Sequence, residues 1–250
     1  MYLSDGRTSV LVDAGQCCRT IEQSLAAIDV LPASLAAVLV THEHIDHVRG
    51  VGVLMRRYHL PVYANASTWA AMRRDPSLGR IDPDLVHILP VGETAVIGDL
   101  CVQSISTPHD AVDPVGYRVQ GGGRKVAVFT DLGHAEPGLL EWISDSDLAF
   151  FESNYDRDML FGGPYPWPLK KRIDGKNGHL SNLDCATALQ SLLRGGVTRF
   201  VLSHLSKENN TPELARAAVV EGLSECSAVD GSDYLLEVAP RFTPGRVWEF

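Results

Sequence analysis

An α/β fold with helices covering its sheets is what this sequence predicts, and two observations predict it. Short β-rich runs alternate with amphipathic helical stretches in both halves of the chain, which is the pattern of layered α/β domains. Several of those runs are followed at once by His or Asp, and ligands of α/β sheets bind outside the carboxyl ends of the strands. A 250-residue chain that is 45% hydrophobic can fill a sizeable core. It shows no linker, low-complexity tract or fixed-period repeat, so one domain is expected over residues 1–250.

Arg7-Thr-Ser-Val-Leu-Val-Asp13 reads as a strand ending at Ala14-Gly15, and Arg19 to Ile28 carries the helical spacing Ile21, Leu25, Ile28. Leu35 to Val40 is an unbroken apolar run, the mark of a buried core strand. A helix is expected from near Val48 through Val53-Leu-Met55, then a strand at Pro61-Val-Tyr-Ala64 and a helix over Thr68 to Arg73. Further strands are read at His87 to Leu89, Cys101 to Thr107, Val115 to Val119, Val126 to Phe129, Leu148 to Phe151 and Phe200 to Leu202. Ser181 is an N-cap for a helix to Leu193 with Asp184 in its first turn. Thr211-Pro212 is an N-cap followed by Pro at the first helical position, opening a last helix to about Leu223.

The Leu35 run delivers Thr41-His-Glu-His-Ile-Asp-His47, three imidazoles and two carboxylates in seven positions. His42 and His44, two apart in an extended segment, point the same way, while Asp46 and His47 follow as the chain turns toward helix. One loop can thereby serve two adjacent ions. Imidazole and carboxylate suit zinc, iron or manganese, and soft thiolate is missing. A lone histidine is usually structural, whereas this density at a strand exit is a mechanism-bearing motif. Three more strand exits carry a potential ligand: His109 after Ser104-Ile-Ser-Thr-Pro108, Asp131 after Ala127-Val-Phe-Thr130, and His204 after Val201-Leu-Ser203. Each alone reads as a satisfied core or loop residue. Together with the cluster they complete two sites, in which Asp131 can bridge because a carboxylate has two oxygens. Glu43 lies between ligands with no evident role.

A net charge of −9 opposes broad electrostatic binding to nucleic acid, so any polyanion must be captured locally. Apolar stretches stop short of a membrane span and residues 1–20 lack a basic-then-apolar leader, which excludes a membrane protein and predicts a cytoplasmic one. Five cysteines, Cys17, Cys18, Cys101, Cys185 and Cys226, make an odd number without CxxC spacing, fitting reduced thiols.

These motifs resemble those of the metallo-β-lactamase superfamily, whose HxHxDH pattern matches His42, His44, Asp46 and His47 and whose later motifs match in order. The resemblance implies a four-layer αββα sandwich. It assigns His42, His44 and His109 to one ion, Asp46, His47 and His204 to a second, and Asp131 to both, with Asp13 bracing the metal loops. The second half is similar to the YycJ/WalJ-type exonuclease group in Phe151-Glu-Ser-Asn-Tyr155, Gly162-Gly-Pro-Tyr165, Leu169-Lys-Lys-Arg-Ile173, Gly178-His-Leu-Ser-Asn182 and Ser203-His-Leu-Ser-Lys-Glu-Asn-Asn210. It is similar more distantly to ribonuclease Z, where a Glu and a later His assist catalysis; those positions here are Glu152 and His179. The long arm that ribonuclease Z uses for tRNA has no counterpart. The group's opening strand and Ser/Gly-rich loop have none before Met1-Tyr-Leu-Ser4, so a truncated N-terminal strand is expected.

Two divalent cations outweigh Asp46, Asp131 and a hydroxide, so the site is expected to stay cationic and attract a phosphodiester. Asp46 is expected to orient or deprotonate the attacking water, and His179, held by Glu152, to protonate the leaving alkoxide. The plainer alternative is that His179 caps the helix starting near Ser181. Lys170, Lys171 and Arg172 form the only compact basic run, read either as a phosphate-holding strip or as solvated surface. Tyr155, Tyr165 and Trp167 can stack bases, although packing is the plainer role for each. Asn209 and Asn210 are expected to line the pocket. The leading expectation is a hydrolase with two zinc or manganese ions, iron being a further option, acting on DNA as a 5′-to-3′ exonuclease. The alternative is a small-molecule hydrolase of thioesters, lactams, lactones or cyclic phosphodiesters, which the −9 charge suits. Intact ligands argue against a non-catalytic scaffold. The histidine at position 44, where diiron flavoproteins place an acid, argues against a redox protein.

Overall fold

Every strand read from the apolar runs is present in the computed structural model, which describes residues 1–241 and 243–250. The chain divides into two compact units, Met1–Ser106 with Ala111–Gly123, and Thr107–Asp110 with Arg124–Phe250.

The first unit runs β1 (Tyr2–Ser4), β2 (Ser9–Val12), α1 (Cys18–Ala26), β3 (Ala37–Leu39), α2 (Ile45–Val48), α3 (Val51–Tyr58), β4 (Val62–Ala64), α4 (Ala66–Met72) and β5 (Val86–Ile88). These strands pair in sequence order, β1 antiparallel to β2 and the rest parallel, each parallel step crossing over through helix. Strand β3 is wholly apolar because both its edges are paired and all three residues are at 0% exposure, the signature of a parallel strand buried on both faces. Its Val38 packs in one core with Leu11 of β2, Leu54 and Met55 of α3, Val62 of β4 and Trp69 of α4. The Asn65 side chain caps α4 by accepting from the Thr68 amide. An antiparallel meander follows: β6 (Thr94–Ile97), β7 (Leu100–Ser106) and β8 (Val115–Gly121). Here burial alternates, with Leu100, Val102 and Ser104 inside and Cys101, Gln103 and Ile105 half-buried, as one covered face requires.

The second unit runs β9 (Arg124–Phe129), α5 (Pro137–Ile143), β10 (Leu148–Glu152), α6 (Arg157–Gly162), α7 (Trp167–Ile173), α8 (Asn182–Arg194), β11 (Arg199–Ser203), α9 (Pro212–Ser224) and β12 (Leu235–Val238). Its strands are parallel in the order β12-β11-β10-β9, and their ends share one side. The Ser181 hydroxyl accepts from the Asp184 amide and the Thr211 hydroxyl from the Leu214 amide, so both expected N-caps form. Ser181, not His179, thus caps α8.

Strands β1, β6 and β12 and helices α5, α6 and α7 have no clear signature in the sequence. They span only three to seven residues, too short for a period to show, and Gly162-Gly-Pro164 and Pro166 break up the stretch holding α6 and α7. Among the described residues no helix is long and apolar enough to cross a membrane.

Candidate metal centre

In the first unit the histidine loop leaves β3 and is held by Asp13. The Asp13 carboxylate accepts from the Thr41 amide at 2.8 Å, from the Thr41 hydroxyl at 2.8 Å and from His47 Nδ1 at 2.8 Å. Asp13 itself sits at φ 60, a left-handed conformation that Asp tolerates better than most residues. Gly15 lets the two loops touch: a Cβ there would lie 1.5 Å from the Asp46 carbonyl, so no other residue fits. The network also assigns tautomers. The Thr41 hydroxyl gives its hydrogen to Asp13 and accepts from His42 Nδ1 at 3.0 Å, so His42 and His47 both present Nε2 as the basic nitrogen. His42 and His47 are buried with ring centroids 4.1 Å apart, and His44 Nδ1 lies 3.0 Å from His42 Nε2. The Asp46 side chain is 68% exposed, with Oδ2 4.0 Å from His47 Nε2. Glu43, given no role by the sequence, accepts the Val112 amide at 2.9 Å and so ties the loop to the segment before β8.

In the second unit, His109, Asp131, Glu152, His179 and His204 converge at the strand ends. Oδ1 of Asp131 lies 3.5 Å from His109 Nε2, 3.5 Å from His204 Nδ1 and 3.7 Å from His179 Nδ1. His109 donates Nδ1–H to the Gly178 carbonyl at 2.9 Å, which leaves Nε2 as the basic nitrogen, and burial depresses its pKa against the pull of Asp131. Glu152, at 0% exposure, terminates β10 and accepts four hydrogen bonds. His179 Nδ1 and His204 Nδ1 reach Oε1 at 2.8 Å each, and the Leu132 and Leu180 amides reach Oε2 at 2.8 and 3.0 Å. Burial pushes the Glu152 pKa up, but the two imidazoles outweigh it and bring it to about 2. The same carboxylate raises the His179 pKa although burial opposes it. His204 sits at φ 56, and its carbonyl accepts from Asn154 Nδ2 at 2.7 Å. Asn154 carries no sequence signal for this contact, which only the fold creates.

This donor chemistry fits divalent ions. Nitrogens bound to one tetrahedral zinc stand roughly 3.3 Å apart, given bonds of about 2.0–2.1 Å. The 3.0 Å approach of His42 Nε2 and His44 Nδ1 and the 3.5 Å separation of His109 Nε2 from Asp131 Oδ1 match that scale.

Several other expected site residues take different roles. Lys170 is buried, and its ammonium donates to the Phe161 and Gly163 carbonyls at 2.7 Å each, so it joins α6 to α7. Arg172 is paired with Asp110, and Lys171 is exposed. Asn209 and Asn210 are buried. The Asn210 amide donates to the Ser153 carbonyl at 2.9 Å and to Asn182 Oδ1 at 2.8 Å, and the Asn209 carbonyl accepts from the Asp156 amide at 2.8 Å, so both brace the loop after His204. Tyr155 is core, its hydroxyl donating to Asp174 at 2.7 Å. Trp167 is the exposed aromatic, at 57%.

A profile described as beta-lactamase superfamily domain matches residues 8–205, spanning both ligand sets. This chain belongs to the beta-lactamase superfamily. It is 39% identical over 233 residues to exodeoxyribonuclease WalJ of Streptococcus pneumoniae serotype 2 (strain D39 / NCTC 7466), covering 93% of this chain and 87% of that protein. Identity to exodeoxyribonuclease YycJ of Bacillus anthracis is 38% over 225 residues, covering 90% and 84%. Among solved structures, the metallo-beta-lactamase fold protein YhfI from Bacillus subtilis superposes with a TM-score of 0.74 at 19% identity, over 99% of this chain and 90% of that one. The fold is therefore the metallo-β-lactamase fold that the sequence motifs implied.

Proposed function

We infer that the chain is a metal-dependent hydrolase of DNA phosphodiester bonds with 5′-to-3′ exonuclease action. The observation that carries this reading is the pairing of half-buried His179 with buried Glu152 beside Asp131, a carboxylate-oriented imidazole that a phosphodiesterase needs and a simple metal store does not. The extended identity to two proteins named exodeoxyribonucleases supports the substrate. Following the superfamily motif, His42, His44 and His109 are assigned to one ion, Asp46, His47 and His204 to the other, and Asp131 to both, with zinc or manganese as occupants. Bound divalent ions would lower the pKa of water toward about 7 and neutralise phosphate charge. Asp46 orients or deprotonates the attacking water. His179, its Nδ1–H committed to Glu152, keeps Nε2 to carry the proton that the leaving oxygen needs. Glu152, ionised throughout the neutral range, holds that ring in place and stabilises its protonated form. The five cysteines, all free, suit a reducing cytoplasm.

The test is purified protein, supplied with manganese or zinc, against DNA labelled at the 5′ or the 3′ end, RNA and acylated glutathione. Stepwise release from the 5′ end of DNA is expected. Hydrolysis of the thioester with no attack on any polynucleotide replaces this reading with a small-molecule hydrolase.

A further inference from the structure

Helices α6 and α7 form a ribbon that brings together two rings, exposed Trp167 and half-buried Phe161, and two exposed cations, Lys171 and Arg157, the second of which pairs with Asp174. Arg157 lies over the Phe161 ring, 5.7 Å from its centroid, and Lys171 lies over the Trp167 ring, also at 5.7 Å; both pairs are one helical turn apart. Phe161 and Trp167 meet across the two helices with centroids 5.8 Å apart and planes tilted by 55°. Lys170 fixes that meeting, because its buried ammonium binds the carbonyls that end α6 from within α7. Trp167 stays 57% exposed, and among the described residues no carboxylate lies within salt-bridge distance of Lys171. A large ring left open beside an uncompensated cation, in a chain of net charge −9, is a local match for something aromatic and anionic at once.

The ribbon is tethered to the metal centre. Arg172 pairs with Asp110, which neighbours His109, and the Ile173 carbonyl accepts the His179 amide at 2.9 Å. Trp167 lies six residues up the helix from Ile173, a rise of roughly 9 Å. We propose that the α6–α7 ribbon is a binding platform for single-stranded nucleic acid, with Trp167 stacking a base and Lys171 holding the adjacent phosphate. This rests on the nuclease reading above. A duplex hides its base faces and cannot use the Trp167 ring, whereas an unpaired strand offers a base to Trp167 and the neighbouring phosphate to Lys171.

The probe is fluorescein-labelled, phosphorothioate-linked oligo-dT of twenty nucleotides, and its blunt duplex with oligo-dA, titrated with the metal-loaded protein. Trp167→Ala should weaken the single strand about 5- to 100-fold, the effect of losing one base stack, while changing duplex affinity little; Trp167→Phe should recover part of the loss. Lys171→Ala should lower the salt slope on the single strand by about 0.7, one phosphate's share. Circular dichroism of each variant checks that the helices persist. Wild-type protein that degrades DNA while Trp167→Ala binds oligo-dT normally overturns the platform and leaves the nuclease reading intact. Equal losses on single strand and duplex overturn the stacking, and a wild-type dimer that Trp167→Ala converts to monomer with oligo-dT affinity unchanged reassigns the ribbon to self-association. Wild-type protein that neither binds nor cleaves any polynucleotide removes both readings.

Discussion

His179 and His204, although they leave different elements, place Nδ1 against the same oxygen of Glu152 at 2.8 Å each. One carboxylate therefore sets the tautomer of both rings, the proposed proton donor and a proposed metal ligand, and turns both Nε2 atoms away from itself. Its other oxygen is held by the Leu132 and Leu180 amides, so it cannot swing to favour either ring. Any change at Glu152 must reach the proton donor and the ligand together.

Glu152→Gln tests that coupling. An amide offers one acceptor where four donors converge, so its NH2 must face either the two imidazoles or the two backbone amides. Each hydrogen bond to a charged group is worth about 1.5–3 kcal/mol. We expect a lower melting temperature without metal, weaker metal retention and a large fall in turnover. A variant that loses turnover alone, with stability and metal content unchanged, shows that Glu152 serves His179 only.

His179→Ala separates the two rings. Turnover should fall about 10²- to 10⁴-fold, the usual contribution of a general acid, with metal content retained. Esters with good leaving groups should suffer least. Equal losses on good and poor leaving groups remove the acid assignment.

Two ions per chain are expected after metal-replete purification, measured by elemental analysis. Asp131→Ala should lower that number. A stoichiometry near one in the wild type, unaltered by Asp131→Ala, eliminates the dinuclear arrangement.

Asp13 touches no proposed ligand atom, yet it holds His47 and both donors of Thr41. Asp13→Ala should weaken metal affinity about 10- to 100-fold, as loss of a carboxylate behind a ligating imidazole does. Isothermal titration with zinc is the measurement, and unchanged affinity refutes the bracing role.

Lys170 and Lys171, adjacent in sequence, should behave oppositely. Lys170→Ala strips two carbonyls of a charged partner inside the protein and should cost about 1–3 kcal/mol of stability, read as a drop of several degrees in melting temperature. Lys171→Ala should leave the melting temperature nearly alone.

The sequence by itself determined the α/β class, the strand exits and the chemistry placed on them, because these are local properties. An apolar run such as Leu35 to Val40 reports burial directly, and His42, His44, Asp46 and His47 share one loop whatever the rest of the chain does. N-caps at Ser181 and Thr211 were legible for the same reason. Only the tertiary structure decided how side chains distant along the chain share partners. Glu152 meets His179 across 27 positions and His204 across 52, and no period spans such gaps. Lys170 looked like a surface cation because charge run and spacing say nothing of burial; it is inside because the ends of α6 and α7 meet there and their carbonyls need a donor. Asn210 likewise went from expected pocket lining to internal brace because buried backbone carbonyls of Ser153 and Asn154 had to be satisfied. Local pattern places groups at the strand ends, while the demand that every buried polar atom find a partner chooses which of them face outward.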